Sequence, residues 1–208
     1  MLVLVAGLVV GSLTASPAHA ATRYLEEIFP TVTETLNIPY GKAVNAKGQV
    51  QTLLADVYQP EGDSATDRPL VFWVHGGGFT SGDKSHVGDW ARTFARRGYV
   101  AVSISYRLRP GYFFEFSNPD DPIAQGAVLD ATHDGQAAVR WARANATELG
   151  IDPSKIAMGG ISAGGVLSLG VGLVAPDTGA SGTPGESSRI CLAVSNAGAY
   201  TPQVVDEL

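Results

Sequence analysis

The most constraining feature of this sequence is an unbroken apolar run, Leu70-Val71-Phe72-Trp73-Val74, that halts on His75-Gly76-Gly77-Gly78. A strand with one face in water alternates apolar and polar residues, whereas one without polar alternation has to be covered on both faces. That calls for a sheet with helices above and below it. The flanking segments fit. A helical stretch over 87–97 closes on Gly98, and 99–104 is again β-branched and apolar, which makes a β-α-β unit. A second, long helix is expected from Asp121-Pro122, an N-cap with proline in the first turn, to Gly150, burying Val128, Ala131, Ala138, Ala142 and Leu149. A short strand over 155–158, a glycine-rich turn, a helix over 166–174 and a last strand over 190–195 follow. Upstream, 36–44 and 51–59 read as an antiparallel opening joined through Asn45 and Gly48. The fold class expected is α/β, with a mostly parallel, doubly wound sheet. Residues 175–189, rich in Pro, Gly, Ser and Thr, read as a flexible surface loop.

Of the 208 residues, 45% are hydrophobic and 16% charged, enough for one sizeable core. The formal net charge of −6 offers no basic stripe for phosphates, so nucleic acid is not an expected partner. Residues 1–20 begin with an apolar run and end on Ala18-His19-Ala20, the pattern of a signal peptide cleaved after Ala20, although no Lys or Arg precedes the run. It is too short for a permanent membrane span. The expectation is a secreted or periplasmic protein with one domain over 21–208. Cys191 is the only cysteine, which excludes an internal disulfide, and its apolar neighbours read as those of a buried thiol. The acidic residues lack His or Cys partners at ligand spacing, so neither metal nor cofactor is expected.

Two motifs carry chemistry. Gly160-Ile161-Ser162-Ala163-Gly164 fits G-x-S-x-G, in which a serine sits on a tight strand-to-helix turn. With 25 glycines in the chain the pattern alone is weak, but it falls between an expected strand and an expected helix. There the helix N-terminus stabilises developing negative charge. His75-Gly76-Gly77-Gly78 is far rarer by chance, and a glycine run lets backbone N–H groups turn outward toward an oxyanion.

With these motifs the chain resembles α/β-hydrolase carboxylesterases, those related to hormone-sensitive lipase and to bacterial feruloyl or acetylxylan-type esterases. Further matching segments are Leu54-Ala55-Asp56-Val57-Tyr58-Gln59-Pro60, Ser105-Tyr106-Arg107-Leu108, residues 134–141 and Gly150-Ile151-Asp152-Pro153. The resemblance implies an esterase with Ser162 as nucleophile and the N–H groups of Gly77, Gly78 and Ala163 as oxyanion hole. His75 and Asp134 are then structural. It implies a small-molecule or polysaccharide-linked ester as substrate. One departure stands out. The family's acid and base follow the serine in chain order, yet no histidine follows His133, and Asp206 lies too close to the last strand to match the acid. The triad acid and His are thus not expected in this chain, which reads as incomplete at its C-terminus and inactive alone. Tyr112-Phe113-Phe114-Glu115-Phe116 is either a pocket wall or loop packing. Two other readings share the fold: a non-catalytic binding protein and a serine peptidase.

Overall fold

The computed structural model describes residues 22–112, 118, 120–174 and 181–198. The expected signal peptide, Phe113 to Phe116 and Asp206 lie outside them. Among the described residues six strands form one sheet: β1 (Val32–Val44), β2 (Val50–Pro60), β3 (Arg68–Val74), β4 (Val100–Ser105), β5 (Ile151–Ile161) and β6 (Leu192–Asn196), in the order β1-β2-β4-β3-β5-β6. The β1/β2 and β2/β4 pairs are antiparallel, and β3/β4, β3/β5 and β5/β6 are parallel. The antiparallel opening and the parallel remainder are as the sequence implied.

The described helices that accompany the sheet are α1 (Gly88–Arg96), α2 (Pro122–Ala144), the single turn α3 (Ala146–Leu149) and α4 (Ala163–Leu173). A 3-10 turn, Lys84–Val87, precedes α1. Alternation along β3 shows why its whole length is apolar. Leu70, Phe72 and Val74 belong to the large core with Ala131, Ala138 and Ala142 of α2 and Leu167 and Val171 of α4. Val71 and Trp73 face the other way, onto the smaller cluster with Ala91 and Ala95 of α1. Phe72 is fully buried, and its ring contributes about 2–3 kcal/mol of transfer free energy.

Some expectations need correction. The long helix breaks at Asn145, whose side-chain amide donates to the Trp141 carbonyl, so α2 and α3 are separate. Strand β5 begins at Ile151 rather than Lys155, because a register shift opposite Pro69 absorbs the Asp152-Pro153 pair without ending the strand. Cys191 is exposed, not buried: its N–H bonds to the Ile156 carbonyl at 2.8 Å, just before the β6 pairing starts. Residues 181–189 are pinned rather than loose. Arg140 donates to the Ser181 carbonyl, and Arg143 to the carbonyls of Ser187 and Arg189. Among the described residues no helix is long and apolar enough to cross a membrane.

Candidate active site

Strand β5 and helix α4 meet at Ser162 with no loop between them. The chain reverses there because Ser162 adopts φ 54°, ψ −120°. That is the geometry of the first central residue of a type II′ turn, a place normally reserved for glycine. A serine held there stores about 1–3 kcal/mol of strain. Its surroundings over-determine it. The Ser162 N–H donates to the Asn196 carbonyl at 2.9 Å, and the Val166 N–H returns to the Ser162 carbonyl at 3.1 Å.

Small residues make this turn geometrically feasible. A Cβ on Gly160 would lie 2.3 Å from the Gly164 carbonyl, and one on Gly164 would lie 2.3 Å from the Val74 carbonyl oxygen. Helix α4 therefore starts in backbone contact with the end of β3. The Ser162 side chain makes no capping bond to α4 and is exposed. Behind it the Ala163 N–H opens the helix, where no intrahelical acceptor exists.

The glycine loop comes to the same place. A Cβ on Gly76 would stand 3.2 Å from the Ser162 Cβ, so the two motifs, separated by more than eighty residues in sequence, share one surface. Beyond Gly76 the backbone takes positive φ at three successive residues, Gly77 (114°), Gly78 (58°) and Phe79 (58°). The Gly77 carbonyl is turned inward, accepting from the N–H groups of Thr80 and Ser81, both at 3.1 Å. Among the described residues no backbone carbonyl accepts from the N–H of Gly77 or Gly78. The Phe79 ring is buried against Tyr106, and its carbonyl accepts the Arg109 N–H at 2.8 Å.

His75 lies beneath the loop, fully buried. Its ring stacks on Tyr106 with centroids 4.4 Å apart, and its Nδ1 lies 2.7 Å from the Gly76 carbonyl oxygen. Burial holds its imidazole below the usual range, so the ring is neutral at pH 7. Asp134 is also fully buried. Its carboxylate accepts the Arg107 N–H and pairs with the Arg107 guanidinium at 2.8 Å, fixing the segment after β4 to α2. His86 and His133 are exposed. Among the described residues no group of His, Cys, Asp and Glu could hold a metal ion.

Sequence reasoning missed the supports of this site. Asp83 caps the 3-10 turn through the Ser85 N–H and accepts the Ser105 hydroxyl. Burial pushes its carboxyl up, but the bonds from Ser85 and Ser105 outweigh that and bring it down to about 2. An aspartate at a helix start is a readable signal; its partner on β4 is not.

The BD-FAE family profile matches residues 55–194, spanning both motifs, the strands β3, β4 and β5, and parts of β2 and β6. This chain belongs to the BD-FAE family. Carboxylesterase NlhH of Mycobacterium tuberculosis is 38% identical over 112 residues, covering 53% of this chain and 31% of that protein. Para-nitrobenzyl esterase of Bacillus subtilis is 29% identical over 147 residues, 70% of this chain and 29% of its own length. In structure, esterase Est2 of Thermogutta terrifontis with propionate bound superposes with a TM-score of 0.57 at 29% identity, over 76% of this chain and 54% of that one. The same esterase phosphoramylated by tabun gives a TM-score of 0.60 at 27% identity, over 88% and 64%. The chain thus spans about a third of the length of these curated relatives. It has the α/β-hydrolase fold of the carboxylesterases, as its motifs implied.

Proposed function

We propose that the protein is a serine carboxylesterase in which Ser162 attacks the ester carbonyl to form an acyl-enzyme. The observation that carries this reading is the backbone of Ser162, an exposed serine held at φ 54° in a conformation that costs free energy and that glycine would adopt without strain. In this reading the tetrahedral oxyanion is received by the N–H groups of Gly77, Gly78 and Ala163. Removing one such donor costs about 10²–10³ in kcat in comparable sites. The relative captured with tabun attached supports a nucleophile that reacts with electrophiles of this kind. The substrate class is a carboxylic ester of a small or polysaccharide-linked alcohol.

His75 is committed to the loop beneath the site, and no histidine follows Ser162 in the sequence. No general base is assigned among the described residues. The test is hydrolysis of p-nitrophenyl acetate and butyrate by the full-length gene product. Ser162→Ala is expected to remove nearly all turnover; a variant retaining a tenth of the parent kcat would refute the assignment.

A further inference from the structure

Lys84 and Asp56 form a buried ion pair that the proposed chemistry does not use. The Lys84 Nζ stands 3.3 Å from Asp56 Oδ1, with the two side chains only 10% and 5% exposed. Asp56 Oδ1 also accepts the Asn37 N–H at 2.7 Å, where a register shift in β1 gives Asn37 a φ of 60°. On the other side, the Lys84 N–H donates to Ser105 Oγ at 3.2 Å, and Ser105 Oγ donates to Asp83 Oδ2 at 3.0 Å. The Tyr40 hydroxyl holds the Ser105 carbonyl at 3.1 Å. The network therefore ties β1, the middle of β2 and the end of β4 to one short segment, Asp83-Lys84.

That segment is the far end of the glycine loop. Residues 76–83 leave β3 at a point fixed by sheet pairing, since Val74 is registered with both Ile104 and Gly160. Their other end has no sheet partner. Lysine is rarely buried unless paired, and a buried pair costs each ion several kcal/mol of desolvation that an apolar pair of similar size would avoid. Stability alone does not account for it. What such a pair supplies is direction, because only one placement of the ammonium leaves both charges satisfied.

We propose that the Lys84–Asp56 pair, with Ser105 and Asp83, is a positioning device that fixes the far end of the glycine loop and thereby aims the Gly77 and Gly78 N–H groups at the oxyanion. The inference rests on the oxyanion-hole reading above. These four residues touch no substrate; they act through the loop.

The experiment compares the full-length gene product with the double variant Asp56→Leu/Lys84→Met and with Ser105→Ala, using p-nitrophenyl acetate turnover and thermal melting. The double variant is expected to melt cooperatively within about 5 °C of the parent, because an apolar pair replaces the ionic one. Its kcat should fall about 10²-fold with KM within about threefold. Ser105→Ala, which removes one hydroxyl and is the milder change, should lose about tenfold in kcat at a similar KM. The proposal is overturned if the folded variants turn over within about twofold of the parent, or if the loss falls on KM with kcat unchanged. Ser162→Ala measured alongside separates the two readings. If turnover is Ser162-dependent and the network variants match the parent, only this inference fails. If turnover is independent of Ser162, the oxyanion-hole reading fails and takes this one with it.

Discussion

Replacing Ser162 with glycine should stabilise the protein, although it deletes the proposed nucleophile. With φ 54° and ψ −120°, Ser162 occupies a region that costs a residue bearing Cβ about 1–3 kcal/mol. Glycine reaches it without that penalty but brings a more flexible unfolded chain, a loss of about 0.4–1 kcal/mol. The net gain centres on about 1 kcal/mol, and at this domain size that is roughly 2–4 °C in Tm. Ser162→Ala is the matched control. The hydroxyl is exposed and makes no capping bond to α4, so its removal leaves the strain in place and should stay within about 0.5 kcal/mol of the parent. Urea unfolding and thermal melts of the three proteins decide the matter. If Ser162→Gly is no more stable than Ser162→Ala, the turn is not strained and the physical basis of the nucleophile assignment is gone.

The other expectations concern the loop and its support. A Cβ on Gly77 would lie 2.1 Å from the Ser81 carbonyl oxygen, so Gly77→Ala must displace the loop and should lower kcat by about 10²-fold or more. Among the described residues a Cβ on Gly78 would meet nothing closer than Thr80 Oγ1 at 4.0 Å, so Gly78→Ala should fold at a cost of about 1–2 kcal/mol for its left-handed backbone, measurable by urea unfolding. A Cβ on Gly164 would meet the Val74 carbonyl oxygen at 2.3 Å, and Gly164→Ala should be destabilised by about 3 kcal/mol or more. His75 has its pKa lowered by burial, so below the ordinary histidine range of about 6.5 the unfolded chain binds the extra proton. Stability should therefore drop between pH 7 and 5, and His75→Gln should flatten that part of the Tm–pH curve; an unchanged slope would contradict the buried, neutral ring.

Much of this architecture is legible in the sequence because local pattern and tertiary burial agree. The run from Leu70 to Val74 is apolar throughout since alternate residues serve two cores, and the turn after it is written in glycine. The elbow is legible for the same reason: Gly160 and Gly164 are small because backbone passes where their Cβ atoms would be. What fails is whatever depends on a distant partner. Pro153 looks like a terminator until the register shift in β5 is seen, and Asn145 breaks a helix whose apolar spacing continues to Leu149. Cys191 sits among apolar residues, yet it precedes a strand whose Leu192 and Val194 are themselves exposed. The Lys84–Asp56 pair joins residues 28 positions apart, and neither local segment points to its partner.

The most direct test of the central claim is covalent. The full-length gene product, treated with a fluorophosphonate and digested, should carry one phosphonyl adduct, and tandem mass spectrometry should place it on Ser162, with no adduct in Ser162→Ala. An adduct on another serine, or equal labelling of Ser162→Ala, would contradict the account.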